Sequence, residues 1–241
     1  LFMSISKIVR ERVQTLPEGS VISFSDFGDF NNLQAVALCL SRLKKSGVLE
    51  KLEKGKYYIP KKTKFGTLGL SDNSILNELL NSEGGVDSYI SGVAAYNMLG
   101  LTTQIPNEVT IVGSKYSRKA QVGKLKVKYV KGKAPVTKST IILLQVLDAL
   151  NDVKKIPDTN INDSMKKLKE IILTLQITQK KKLIKLSQYY RPSVQALTGV
   201  ILEEYGLEEA RSLKEKLKPL TKFKLNISKE ILPLQESWNL K

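Results

Sequence analysis

The sequence predicts an α+β fold, mainly helical: a small N-terminal domain over residues 1–62, then a larger domain over 63–241. The second domain reads as mixed α/β to about residue 150 and helical beyond it. Three observations carry this reading. Residues 24–60 order a capped helix before a short hairpin, residues 88–130 mix helical and alternating patterns around Gly100 and Pro106, and residues after 137 repeat apolar positions at helical spacing.

Ile5, Ile8, Val9, Val13 and Leu16 give a first amphipathic helix, closed by Pro17 and Gly19. In the next stretch, FSDFGDFNNLQAVALCLSRLKKSGVLEKLEKGKYYIP, Asn31 or Asn32 can cap a helix and Gly47 can end it. Leu33, Val36, Ala37, Leu40 and Leu43 share its buried side, and Gln34, Leu38, Ser41, Arg42 and Lys45 the opposite one. Cys39 fits at the flank as a small apolar residue. Val48, Leu49 and Leu52 then form a strand, Lys54-Gly55 a turn, and Tyr57, Tyr58 and Ile59 a return strand that Pro60 stops.

That order of parts is the order of a winged helix-turn-helix, whose recognition helix enters the DNA major groove. Gln34 and Arg42 have the forked geometry for adenine and guanine edges, and Leu38 suits thymine methyls. Asn31, Asn32, Ser41, Lys44 and Lys45 complete the candidate helix contacts, and Lys51, Lys54 and Lys56 the wing contacts to phosphates. Two blander readings stand beside these: Leu38 packs against the following domain, and the wing lysines only guard a sheet edge.

Lys61 to Gly69 lacks periodicity and marks the domain boundary. Ser71 or Asp72 caps a helix through Leu80, broken at Gly84-Gly85. SYISGVAAYNMLGLTTQIPNEVTIV reads as a helix in its first half, stopped by Gly100, with a strand Val109–Val112 after Pro106. A basic hairpin follows, with Lys115 to Lys119 in the link and Leu125, Val127 and Tyr129 alternating on the second strand. Thr137 or Ser139 opens a very apolar helix through Leu150. Further helices are expected near 164–176, 178–188, 192–205 and 207–218, with Pro192 in a first turn.

The 241 residues carry a net charge of +16, spread as +5 over residues 1–62, +4 over 63–150 and +7 over 151–241. Such a balance predicts anionic partners for both parts of the chain. Histidine is absent and cysteine occurs once, which removes Ser-His-Asp and Cys-His catalysis, zinc fingers and any intrachain disulfide. Phosphate-binding glycine loops are missing, and pairs such as Glu203-Glu204 and Glu208-Glu209 read as exposed helix residues. The expectation is a binding protein without catalytic residues, metal or cofactor. No signal peptide or spanning segment is evident, so the expected location is the cytoplasm, with no membrane contact. Met3, after Leu1-Phe2, reads as the natural start.

One further stretch, TQKKKLIKLSQYYR, concentrates Lys180, Lys181, Lys182, Lys185, Tyr189, Tyr190 and Arg191. Cations beside aromatic rings suit RNA or another nucleotide-bearing partner. The alternative is a solvated helix face around Leu183, Ile184 and Leu186.

Taken in order, LSRLKKSGVLEKLEKGKYYIP, SGVAAYNMLGLTTQIPNEVTIV and the basic helical C-terminal region resemble the AbiEi family of type IV antitoxins from bacterial abortive-infection systems. The resemblance covers most of the chain, and SGVAAYNMLGLTTQIP carries its specificity. It implies a winged helix that binds inverted repeats in its own promoter and represses its operon. It also implies a C-terminal domain that counters a nucleotidyltransferase toxin without a stable complex. The alternatives are an RNA-binding accessory protein and a plain winged-helix transcription factor.

Overall fold

The computed structural model describes residues 4–30, 32–64, 66–81, 88–113 and 117–241. The fold is mixed α/β, and the chain divides into two compact units. Unit 1 comprises Leu1–Ser82 with Ala120–Lys126, and unit 2 comprises Glu83–Lys119 with Val127–Lys241.

Unit 1 opens with α1 (Ile5–Gln14), which buries Val9 and Val13. Strand β1 (Val21–Ser23) and a 3₁₀ turn (Phe24–Phe27) lead to α2 (Leu33–Lys45). Asn32 caps α2, its side-chain oxygen accepting from the Ala35 N–H at 3.0 Å. Gly47, with φ +73°, takes the left-handed conformation that ends it. Asn31, the other candidate cap, lies outside the described residues, as do Gly84-Gly85 and Lys115.

Strands β2 (Glu50–Glu53) and β3 (Lys56–Tyr58) form the hairpin expected from sequence, and β1 adds a third antiparallel strand in the order β1-β3-β2. Sequence reading missed β1 because three residues are too few to display an alternation. The core under this sheet joins Val9, Val13, Ile22, Phe27, Val36, Leu40, Leu43 and Leu49. Arg12 braces its edge: the guanidinium forms a fork with Asp29 at 3.0 and 3.2 Å and lies over the Phe27 and Phe30 rings.

Unit 1 does not stop at residue 62. The stretch expected to be an irregular boundary forms a second hairpin, β4 (Lys61–Thr63) and β5 (Gly66–Leu68), tied by the Thr63 hydroxyl donating to Gly66 O at 2.8 Å. Helix α3 (Asp72–Asn81) follows, with the Ser71 hydroxyl accepting from the Ser74 N–H and with Ile75 and Leu79 buried.

Unit 2 begins with a correction. The first half of 88–112 is not all helix: Tyr89–Ser91 form strand β6, and only Val93–Met98 form helix, α4. Gly92 makes the switch with φ +67°, and Gly100 ends α4 as expected, with φ +70°. Strands β7 (Glu108–Val112), β8 (Arg118–Val122) and β9 (Leu125–Val130) complete a four-stranded sheet in the order β6-β7-β9-β8. Arg118 and Lys119, expected in a link, therefore lie on an edge strand. The β9 alternation is as expected, with Val127 and Tyr129 buried.

Helix α5 (Ile141–Asp152) is buried at every position from Leu143 to Leu150, which explains its nearly all-apolar sequence. Thr140, rather than Thr137 or Ser139, precedes its first turn. Around it pack α6 (Ile161–Thr174), α7 (Ile177–Ser187) and α8 (Pro192–Glu204), with Pro192 in the first turn as expected. The helix expected over 207–218 is shorter: a 3₁₀ turn at Glu208–Ala210 and one turn of α9 (Arg211–Lys214). The last residues return along themselves, Phe223 bridging Leu240, and place Trp238 fully buried against α8. No helix among the described residues is long and apolar enough to cross a membrane.

Candidate nucleic-acid interface

In unit 1, α2 divides by side. Val36, Cys39, Leu40 and Leu43 are buried; Gln34, Leu38, Arg42, Lys44 and Lys45 are exposed, with Ser41 half-buried. Leu38 is 54% exposed, so it fills no core within unit 1. Cys39 is a buried small residue with its thiol toward Ser6 O. Asn32 is exposed, but its side-chain oxygen already serves the helix cap.

The wing lysines part company. Lys51 and Lys54 are exposed and make no ion pair among the described residues. Lys56 is held inward, 3.2 Å from Glu53 and 3.6 Å from Glu78, with its side chain only 16% exposed. It acts as a tie from β3 to α3 and corrects the expectation of a third projecting wing cation. Glu50, opposite Tyr58, accepts that phenol's hydrogen bond; burial and the carboxylate push the Tyr58 hydroxyl up to about 12.

The cationic stretch on α7 also separates. Lys180 is 1% exposed; its ammonium donates to Leu173 O at 2.7 Å and to Leu175 O, and sits over the Tyr205 ring. Lys181 pairs with Glu209 at 2.5 Å. Arg191 donates to Asn151 O. Lys180 thus serves the fold, which corrects its place in a ligand-facing patch; Lys181 and Arg191 are exposed, each with a partner on the protein itself. Lys182, whose ammonium donates to the Ser139 hydroxyl at 3.2 Å, Lys185 and Tyr189 are exposed around a groove of about 520 Å³.

Sequence reading missed a buried polar cluster in unit 2. Asp148, on α5, accepts from the Tyr89 hydroxyl at 2.8 Å, the Ser91 hydroxyl at 2.6 Å and the Tyr190 hydroxyl at 2.9 Å. Tyr96 donates to Asp152 at 2.9 Å one turn further. Burial raises the Asp148 carboxyl above its ordinary value, opposed by the three hydroxyls and by the charge of Lys133. The same burial, beside a carboxylate, raises the phenols of Tyr89, Tyr96 and Tyr190. A cleft of about 210 Å³ opens onto Asp148, with Lys128, Lys131 and Lys133 on its other wall. Only one signal was available in sequence: Asp148, the single charged residue of the run IILLQVLDAL, where Gln145 is the one other polar residue.

With this geometry in view, comparison with known proteins is informative about fold rather than activity. No curated protein matches the sequence. Among solved structures, the crystal structure of the RV2827C protein from Mycobacterium tuberculosis is similar, with a TM-score of 0.55 and 12% identity over 98% of this chain and 89% of that one. At that identity the likeness concerns the fold alone. A family model matches residues 8–183, and the chain accordingly belongs to DUF6088, a family of unknown function.

Proposed function

We propose that this protein is a DNA-binding regulator that reads duplex DNA through a winged helix-turn-helix in unit 1. The carrying observation is the outward face of α2, where Gln34, Leu38 and Arg42 stand exposed, followed in sequence by a β2–β3 hairpin that exposes Lys51 and Lys54. The element order α1, β1, 3₁₀ turn, α2, β2, β3 and the sheet order β1-β3-β2 support the reading, the 3₁₀ turn standing where a middle helix is common. In it, α2 lies in the major groove, Arg42 and Gln34 read base edges, Lys44 and Lys45 approach phosphates, and the wing lysines hold the backbone alongside.

The biological role we propose, on the resemblance stated above, is a type IV antitoxin. It represses its own promoter at inverted repeats, and unit 2 counters a nucleotidyltransferase toxin in the cytoplasm without a lasting complex. The role assigned is binding rather than catalysis.

A mobility-shift titration against the protein's own upstream region, with random duplex as competitor, tests the DNA reading. Selective retardation is expected, and Arg42→Ala should cost about 1–3 kcal/mol on the specific site while relaxing base preference. Retardation no better than on random duplex, or equal loss on both duplexes for Arg42→Ala, would remove α2 from sequence readout. Point variants are the right tool because deleting residues 1–62 would cut through unit 1, which runs to Ser82. The antitoxin role is tested by co-expression with the adjacent gene: failure to relieve its toxicity would sink that part alone.

A further inference from the structure

The end of α7 sends two adjacent tyrosines in opposite directions. Tyr190 turns inward to Asp148, and Arg191 is fixed to Asn151 O. Tyr189, between this anchor and the helix, is 55% exposed on a short turn closed by its own N–H donating to Leu186 O at 3.1 Å. Lys182 and Lys185, three residues apart, share one face of α7, and Tyr189 follows in the turn just beyond its end.

Across from them stands Pro135, in the segment leading to α5. Pro135 and Leu186 give the groove an apolar floor, and Lys182, Lys185, Gln188 and Tyr189 its walls. Its volume of about 520 Å³ falls within the roughly 300–1,000 Å³ of small-ligand sites. No acidic side chain lines it among the described residues, whereas the cleft above Asp148 carries two. Lys216 donates to Gln188 Oε1 at 2.8 Å, which leaves the Gln188 amide hydrogens directed away from Lys216.

An exposed aromatic ring on the turn that ends α7, an apolar floor for a second ring face, two cations a helical turn apart and an amide donor answer one chemistry. We infer that this groove is a second binding site, for single-stranded nucleic acid, with a base stacked on Tyr189 and its flanking phosphates on Lys182 and Lys185. The helix dipole alone accounts for a cation such as Lys185 in the last turn of α7. It does not account for the exposed ring or the apolar floor. The inference goes beyond duplex recognition by unit 1 and stands if that recognition fails.

The test uses the full chain carrying Arg42→Ala and Lys54→Ala, so that unit 1 contributes little to the signal. Fluorescence anisotropy is read with labelled 12-nucleotide oligouridylate, oligodeoxythymidylate and a duplex of equal length, between about 50 and 200 mM salt. Tyr189→Ala should weaken single-strand binding about tenfold while Tyr189→Phe keeps it, because either ring stacks. Lys182→Ala with Lys185→Ala should flatten the salt slope by about 1.4.

Lys166→Ala with Lys167→Ala removes two exposed cations from α6 and should leave single-strand affinity nearly unchanged. Tighter binding of the ribose strand assigns RNA, and equal binding assigns either sugar. Unchanged affinity for Tyr189→Ala would overturn the inference. So would an equal loss for the α6 pair, or a duplex bound as tightly as the single strands.

Discussion

The Ser91 hydroxyl lies 2.6 Å from Asp148 Oδ2, joining the β6 strand to a carboxylate buried on α5. With Tyr89 and Tyr190 it fills three of the lone-pair directions of a group that burial would otherwise disfavour as an anion. Asp148→Ala strands three hydroxyls in the core and should cost about 3 kcal/mol, read by urea denaturation.

Asp148→Asn keeps the shape and should cost less. It should also change the pH profile. The folded carboxyl titrates above its unfolded value, so the native state holds the extra proton between the two. The contribution of Asp148 is therefore greatest below the ordinary aspartate value of about 3.9 and declines as pH rises through the folded value. That decline should vanish in the Asn variant; an unchanged profile would assign the slope to other carboxyls.

Several parts of this molecule were legible before any coordinates, and the reason is local chemistry. Asn32 and Gly47 bracket α2 with a side-chain cap and a left-handed stop, signals that need no tertiary contact. Pro192, Gly100 and the Val127–Tyr129 alternation are of the same kind. β1, β4 and β6 are three-residue strands that exist through pairing, so period alone could not separate Tyr89–Ser91 from the helix after it. The site divided likewise. Exposure of Leu38 follows from helix phase, whereas the inward turn of Lys56 depends on Glu78, twenty-two residues away, and of Lys180 on two carbonyls at the end of α6.

Lys180 illustrates how misleading a charge run can be. Its ammonium satisfies Leu173 O and Leu175 O, where α6 ends and its carbonyls lack helical partners. Lys180→Met preserves the stem but leaves those carbonyls without their donor and should lose about 2–3 kcal/mol. Lys181→Ala breaks only a half-exposed pair with Glu209 and should stay within about 0.5 kcal/mol. Thermal or urea unfolding of the two variants side by side measures the contrast, and equal effects would deny Lys180 its structural role.

Two of the wing lysines, Lys54 and Lys56, should behave differently in DNA binding. Lys54→Ala removes an exposed cation at the hairpin tip; it should weaken all duplexes alike and reduce the salt slope by about 0.9. Lys56→Ala should leave that slope unchanged and instead lower stability, since its ammonium is occupied by Glu53 and Glu78. Salt-dependent anisotropy on random duplex, together with a melting scan, separates these outcomes. A salt slope that falls for Lys56→Ala would return it to the phosphate-contacting set.

Trp238 fixes the C-terminal tail by lying across α8 at Gly199. A Cβ built on Gly199 would stand 2.1 Å from two of its ring carbons, with φ in the ordinary helical range, so the obstacle is space alone. The ring cannot withdraw easily: it is fully buried, and its Nε1–H donates to Glu203 at 2.7 Å. Gly199→Ala should therefore cost about 2 kcal/mol or more, despite alanine's better helix propensity.

Trp238 is the sole tryptophan, so its fluorescence reports tail release directly. Pairing Gly199→Ala with Trp238→Leu should recover part of the loss, a coupling of about 1 kcal/mol or more in a double-mutant cycle. Strict additivity would show that the ring and the glycine are neighbours without being constrained by one another.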